Sequence, residues 1–373
     1  MARAPARTTE IEALPEIDRI EGLPHPRETA ELFGHGAAEQ DLARAIAGGN
    51  AHHAWLITGP RGIGKATLAY RAAAFALAEP DERHAQCVSL AIPAAARSVR
   101  QVRALSHPGL LVVRRAYNAK DKRFPATIPV EEVRRLRGFL ALSAVAGGWR
   151  VVIVDSADEL NISAANALLK SLEEPPPRTL FLLVSSEPGR LLPTIRSRCR
   201  RLPLMPLADS DFEQAIRAAV AAAGTDPPPE AALSRLARLA AGSPGRALAL
   251  NSGGGIELHD DVAKLLTHLP RVNWPHVHKL ADALSPGAAE ARFTLFFDLL
   301  LDAIAGLVRT GATAAGAAEE MQLAGRLAPP ARLAPLALLW ETVAREKAET
   351  VALNLDRKTL IIRTVSRLEA ATR

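Results

Sequence analysis

The sequence has little cysteine, few aromatic residues and no long apolar run. Its two cysteines, Cys87 and Cys199, are too few for a disulfide framework and lack the paired spacing of a zinc site. No stretch reaches the roughly 18 apolar residues that a membrane-spanning helix needs. Residues 1–15 alternate charged with small side chains instead of forming the apolar core of a signal peptide. We therefore expect reduced thiols, no zinc, no membrane partner and a cytoplasmic location.

Length, charge and composition set broad limits on the fold and its partners. A chain of 373 residues is too long for one ordinary domain, so two or three domains are expected. Aromatic residues make up only 4%, and alanine, leucine and arginine take their place, which favours helices. The net charge of +6 suits a protein that works beside nucleic acid or an acidic partner. An ordinary solvated surface explains that small excess equally well.

Four short apolar runs predict buried β-strands in the first half of the chain. They cover residues 53–58, 109–113, 151–154 and 180–184. Apolar residues at helical intervals alternate with them, over 28–47, 130–142 and 164–172. Strands that are apolar on both faces are typical of a parallel sheet covered by helices, so this part of the chain is predicted to be α/β.

The strand pattern ends at Pro206, and helical patterns follow to the end of the chain. They cover residues 211–223, 230–241, 293–308, 336–348 and 360–368. The prediction is a flexible tail over 1–22, an α/β domain over 23–205, a small helical domain over 206–255 and a second helical domain over 256–373.

A phosphate-binding loop is predicted between the first strand and the next helix. The pattern G-x-x-x-x-G-K is formed by Gly59, Pro60, Arg61, Gly62, Ile63, Gly64 and Lys65. Glycines let backbone N–H groups converge on phosphate oxygens, and Lys65 can reach the β- and γ-phosphates. The strand before the loop and the helix after it make the match more specific.

Two residues of the expected ATPase machinery are missing. The position after Lys65 is Ala66, where a hydroxyl would bind Mg²⁺, and Thr67 lies one residue later, about 100° around the helix. After the third strand, Asp155 could orient the metal, but Ser156 stands where a glutamate would polarise the attacking water. A vestigial loop and weak nucleotide binding are therefore about equally favoured, and hydrolysis is less favoured than either.

Three further motifs resemble those of bacterial DNA polymerase III clamp-loader subunits of the AAA+ family. They are the segment 166–176 (NALLKSLEEPP), the triplet of Ser197, Arg198 and Cys199, and the segment 242–246 (GSPGR). The resemblance runs over about residues 23–250 and more loosely beyond. Ala66 and Ser156 resemble the altered sites of delta-prime subunits more than the intact sites of the motor subunits. This likeness implies a P-loop AAA+ domain, a helical lid over 206–255 and a helical collar over 256–373.

The resemblance also implies roles for individual residues. Arg198, flanked by Ser197 and Cys199, would act as an arginine finger in the ATP site of a neighbouring subunit. Arg246 would be the lid arginine that contacts nucleotide. An ordinary basic edge or a contact with duplex DNA is the alternative for the arginines at 196, 198, 200 and 201. ATP or ADP, bound weakly, is the only cofactor implied.

The partners implied are the gamma/tau motor and the delta subunit in a hetero-oligomer, with the sliding clamp and primed DNA reached through the complex. Apolar positions such as Leu295, Leu299, Leu353 and Leu360 would then hold the collar together, although some of them belong to the domain's own core. The basic residues Arg114, Arg115 and 120–123 are predicted to form a surface loop, with an approach to DNA as the alternative.

Two other functions stay open from the sequence. In the first, the chain is itself an ATP-hydrolysing motor of the gamma/tau type, or another AAA+ remodelling ATPase, in which Thr67 and Glu159 replace the missing groups. In the second, the loop serves a small-molecule phosphotransferase, although two trailing helical domains do not suggest a substrate pocket.

Overall fold

The structure is a computed structural model of the chain. It describes residues 15–373 apart from 18, 21, 50, 84–88, 121–122, 142–147 and 253. Cys87, most of the predicted tail and part of the basic segment 120–123 therefore lie outside the described residues. The chain divides into two compact units, Met1–Arg246 and Ala247–Arg373. The boundary lies inside the segment predicted as the lid, so the division into tail, sheet domain, lid and collar stays a prediction.

A five-stranded parallel sheet forms the centre of the first unit. Its strands are β1 (Ala54–Thr58), β2 (Leu110–Val113), β3 (Arg150–Val154), β4 (Thr179–Ser185) and β5 (Arg200–Pro203), in the spatial order β2-β3-β4-β1-β5. Because all pairs are parallel, the carboxyl ends of the strands lie at one edge of the sheet and the amino ends at the other.

Helices cover both faces of this sheet, as the apolar runs predict. The helices of the first unit are α1 (Gly36–Ala47), α2 (Lys65–Leu77), α3 (Arg97–Arg103), α4 (Val130–Ala141), α5 (Ile162–Glu173), α6 (Pro193–Ser197), α7 (Asp209–Ala222) and α8 (Glu230–Ala240), with α9 (Pro244–Asn251) crossing the boundary. Leu56 and Phe181 share a buried cluster with residues of α4, α5 and α6, whereas α2 packs on β1, β3 and β4 from the other side. The predicted α/β class is confirmed.

The structure corrects two of the sequence predictions for this unit. β5 was not predicted, because Arg200 and Arg201 are exposed and only Leu202 of its four residues is buried. The helix predicted over 28–47 begins only at Gly36, since Gly34 has a φ of +73° and the preceding residues are not helical. All four predicted strands and the helices predicted over 130–142 and 164–172 are confirmed to within a few residues.

Ion pairs connect described residues of the predicted tail with later residues of the first unit. Glu16 contacts Arg27 at 2.5 Å, Arg114 at 2.6 Å and Arg19 at 3.0 Å. These guanidinium groups outweigh the cost of burial and lower the pKa of the Glu16 carboxyl well below its usual range. The pairing also engages Arg114, for which an approach to DNA was only the alternative to a surface loop.

The secondary-structure elements of the second unit are all helices among its described residues, as predicted. Its helices are α10 (Gly255–His268), α11 (Trp274–Leu284), α12 (Glu290–Thr313), α13 (Ala318–Leu327), α14 (Pro330–Leu353) and α15 (Arg357–Thr372). Of the leucines predicted for a collar, Leu299 and Leu360 are buried within this unit, whereas Leu353 is 65% exposed. Leu353, the last residue of α14, therefore does not belong to the core of this unit.

Candidate functional site

The phosphate loop joins the carboxyl end of β1 to the first residue of α2. Gly59, Gly62 and Gly64 have φ values of +142°, +78° and +101°, a backbone that L side chains rarely adopt. Lys65 begins the helix and is only 5% exposed. Its Nζ donates to the carbonyl oxygens of Gly59 at 2.8 Å and Pro60 at 2.6 Å. The lysine therefore binds the loop's own backbone.

Burial makes the charged form of Lys65 costly. Desolvation lowers the pKa of its ammonium group from 10.5 to about 8, although the nearby carboxylates of Asp158 and Asp155 favour the charge. Since the unfolded chain keeps the ordinary pKa, it binds more protons than the folded chain between these two values. The Lys65 contribution to stability therefore rises with pH across that window.

This linkage gives a test of the loop geometry. We expect the melting temperature of the wild-type chain to rise relative to that of Lys65→Met as the pH increases from about 8 to about 10, the window set by the lowered pKa. Thermal unfolding of both proteins at several pH values checks this. Parallel profiles for the two proteins would mean that Lys65 is not buried against the loop.

The carboxyl end of β3 carries the acidic residues beside the loop. Asp155 is 4% exposed, and Ser156 follows it with a φ of +56°. The Oδ1 atom of Asp158 accepts a hydrogen bond from the backbone N–H of Ser186 at 3.1 Å. Glu159 contacts Arg115 at 2.6 Å and Arg61 at 3.2 Å. Asp158 and Glu159 thus both have structural partners. Asp158 links the end of β3 to the end of β4, and Glu159 links it to Arg61 of the phosphate loop.

The hydroxyl missing at Ala66 is not visibly replaced by Thr67. Thr67 is 7% exposed in the first turn of α2, whereas Ala66 is half-buried. Glu159, the other group that could restore a motor site, is held by two arginines. A carboxylate engaged by two guanidinium groups has fewer lone pairs left to orient a water, so its contacts do not favour Glu159 as a replacement base.

The segment 242–246 packs directly on the phosphate loop. The Ser243 hydroxyl donates to the Arg61 carbonyl at 2.6 Å, and the Gly245 N–H donates to the Gly62 carbonyl at 2.8 Å. A Cβ atom added at Gly245 would lie 2.8 Å from the Cα of Gly62, so only glycine fits at this approach. Ser243 and Gly245 belong to the segment 242–246 that was noted in the sequence, but no role was predicted for either residue. Arg246, the predicted lid arginine, is half-buried, and its backbone N–H lies 3.3 Å from the Ser243 hydroxyl.

Arg198 lies at the opposite edge of the sheet from the loop. It ends α6 and precedes β5, so it is at the amino edge, whereas Gly59 follows β1 at the carboxyl edge. Its Nη1 donates to the Thr194 carbonyl at 3.0 Å, and its Nη2 lies 2.8 Å from the Glu173 carboxylate. The predicted site residues therefore form two separate groups on one sheet.

Comparison with known proteins shows which family the chain belongs to. Residues 34–208 match the family described as DNA polymerase III, delta subunit. The DNA polymerase III subunit delta' of Escherichia coli is 33% identical over 266 residues, which cover 71% of this chain and 73% of that one. The corresponding subunit of Pseudomonas aeruginosa is 34% identical over 73% of this chain and 76% of its own length. The chain belongs to the DNA polymerase III delta' family.

A gamma/tau subunit is related over a shorter region than these two delta' subunits. The gamma/tau subunit of Mycobacterium tuberculosis is 34% identical over 186 residues, which cover 48% of this chain and 28% of that one. These two delta' relatives thus match along more of the chain than this gamma/tau subunit does.

The other two residues of the triplet, Ser197 and Cys199, have different surroundings. The Ser197 hydroxyl donates to the Thr194 carbonyl at 3.1 Å, the same oxygen that Arg198 contacts. Cys199 packs in the cluster under α5 and α6, and burial raises the pKa of its thiol to about 12. A thiol in that state is a poor nucleophile, so Cys199 can anchor the turn that presents Arg198 but is unsuited to covalent chemistry.

Neither a metal site nor a membrane span is evident in the described residues. Among them, no three His, Cys, Asp or Glu side chains cluster in a way that could hold a metal ion. None of their helices is long and apolar enough to cross a bilayer.

Proposed function

We propose that this chain is a non-motor subunit of the DNA polymerase III clamp loader, which helps place the sliding clamp on primed DNA. In this role Arg198 completes the ATP site of a neighbouring motor subunit. The observation that carries the proposal is the position of Arg198 at the sheet edge opposite the chain's own loop. An arginine placed there cannot readily serve its own loop, whereas a subunit packed against that edge could receive it.

The chain's own loop supports the non-motor role. Ala66 supplies no metal ligand, Ser156 supplies no general base at neutral pH, and Lys65 donates to loop carbonyls. A permanently charged guanidinium, in contrast, can stabilise the charge that redistributes over a γ-phosphate in the transition state. We therefore expect ATP hydrolysis in a partner's site and not at this chain's own loop.

The delta' family membership and the gamma/tau relatives make gamma/tau and delta the expected partners in a hetero-oligomer. We place the contact with other collar domains on the second unit, where Leu353 is exposed and Leu355 is 49% exposed. The clamp and primed DNA would be reached through the assembled complex.

Mixing experiments test the non-motor role. The chain alone should hydrolyse ATP at background rate, whereas adding it to the gamma/tau and delta subunits with clamp and primed DNA should raise the ATPase rate of the mixture. A complex built with Lys65→Met should keep that rate, because Lys65 is not needed for a partner's chemistry. ATP turnover by the isolated chain that Lys65→Met abolishes would instead favour the motor alternative.

A further inference from the structure

Arg198 is held by two contacts within its own chain. Its Nη1 donates to the Thr194 carbonyl of α6 at 3.0 Å, and its Nη2 lies 2.8 Å from Oε1 of Glu173. Glu173 is the last residue of α5, which runs back to the amino edge of the sheet before β4 begins. The two contacts come from different helices, so together they fix the direction of the guanidinium plane.

We propose that Glu173 is a positioning residue for Arg198, which it holds in the orientation needed by the partner's ATP site. This inference rests on the proposed function of Arg198 as a finger in trans. Glu173 touches no reacting atom in this account. It acts by reducing the number of orientations that the arginine samples before a γ-phosphate arrives.

The two contacts of Arg198 leave most of its guanidinium N–H groups available to a ligand. An arginine side chain has five N–H groups, and one facing Thr194 plus one facing Glu173 leaves three. The side chain of Arg198 is 36% exposed, so a phosphate can approach it while both contacts persist. A long, flexible side chain that is already ordered loses less entropy when it engages its target.

The place of Glu173 in its helix also argues for a role beyond helix stability. Carboxylates at a helix C-terminus oppose the helix dipole, and α5 ends with Glu173 followed by Glu174 at its C-cap. The side chains of Glu173 and Arg198 are 48% and 36% exposed, and ion pairs this accessible to water contribute little to folding. Removal of Glu173 should therefore change the behaviour of Arg198 much more than it changes stability.

Glu174 provides a matched control. It is exposed, carries the same charge at the same helix end, and forms no ion pair with Arg198 among the described residues. Glu174→Ala removes the same charge from the same edge of the sheet. A difference between Glu173→Ala and Glu174→Ala therefore reports the contact with Arg198 and not the overall electrostatic field.

The test is single-turnover ATP hydrolysis by the complete complex at saturating ATP, with clamp and primed DNA. We expect Glu173→Ala to slow the hydrolysis phase that depends on Arg198 by about fivefold, with the KM for ATP and the melting temperature of the chain unchanged. Glu173→Gln keeps a hydrogen-bond acceptor and should recover part of the rate. Glu174→Ala should match the wild type.

The double variant Glu173→Ala/Arg198→Ala separates this inference from the proposed function. It should be no slower than Arg198→Ala alone, because Glu173 acts through Arg198. Wild-type rates for Glu173→Ala beside a slow Arg198→Ala, or additive losses in the double variant, would overturn the positioning role and leave the finger intact. A fully active Arg198→Ala would overturn the proposed function and this inference with it.

Discussion

Gly245→Ala is expected to destabilise the first unit by about 2 to 4 kcal/mol, the sum of an overpacking cost and a weakened hydrogen bond. The added Cβ would meet the Cα of Gly62 at 2.8 Å and its carbonyl oxygen at 3.0 Å. Both are backbone atoms of a loop that cannot yield as a flexible side chain can, so the overpacking cost is expected to be high. The hydrogen bond from the Gly245 N–H to the Gly62 carbonyl would be strained or lost as well.

Gly138→Ala is the matched control for this substitution. Gly138 lies inside α4, and a Cβ added there meets no atom within 4 Å. Because alanine is a better helix former than glycine, this variant should gain about 0.5 to 1 kcal/mol. Urea unfolding of both variants, followed by circular dichroism, gives the comparison. Equal stabilities would contradict the close packing of segment 242–246 on the loop.

The contact between Gly245 and Gly62 also bears on nucleotide binding. Ser243 and Gly245 bond to the carbonyls of Arg61 and Gly62, and Lys65 bonds to those of Gly59 and Pro60. The loop backbone therefore already has partners from its own chain. A nucleotide would have to compete with the Lys65 contacts, which fits a loop retained for packing.

Much of the fold could be predicted because each strand of the sheet's interior is a continuous apolar run. β1, β3 and β4 are buried almost throughout, so their sequences carry no polar face to obscure them. β5 escaped prediction because it is an edge strand whose two arginines are exposed. Arg200 also stacks over the ring of Trp55 at 4.6 Å, a contact with another strand that its neighbours in sequence do not reveal.

The chemistry of the site was predictable only where it depends on local sequence. The phosphate loop and its two missing groups follow from adjacent residues such as Lys65, Ala66 and Ser156. The partners of those residues could not be predicted in this way, because they come from distant parts of the chain. Ser243 bonds to a residue 182 positions away, and Glu173 meets Arg198 only because α5 and α6 pack together.

The surroundings of Cys199 also could not be predicted from its local sequence. The triplet motif placed it beside the predicted arginine finger, and its neighbours in sequence do not indicate that it is buried. Within the fold it packs among Leu168, Leu172 and Ile195. Burial explains both its raised thiol pKa and its suitability as an anchor for the turn before β5.

Arg198→Ala is expected to have the largest effect on function. Arginine fingers supplied in trans accelerate phosphoryl transfer by about 10³- to 10⁵-fold, because they neutralise charge in the transition state. In a complex with several ATP sites, only the site that receives Arg198 should slow by roughly that amount. Arg198→Lys should also be impaired, since an ammonium group lacks the planar fork of the guanidinium.

Arg196→Ala is the control for loss of charge at the same edge. Arg196 lies in α6 beside Arg198 and is exposed, so its removal changes the net charge equally. Both variants should assemble with the gamma/tau and delta subunits, because neither arginine belongs to the second unit in which we place the main oligomer contacts. Gel filtration of the mixtures checks assembly before rates are compared.

Single-turnover ATP hydrolysis by complexes containing wild-type chain, Arg198→Ala or Arg196→Ala tests the central claim most directly. The account predicts that Arg198→Ala removes one hydrolysis phase, slowed by about 10³-fold or more, while Arg196→Ala keeps it. Equal amplitudes and rates for all three complexes would contradict the assignment of Arg198 to a neighbour's ATP site.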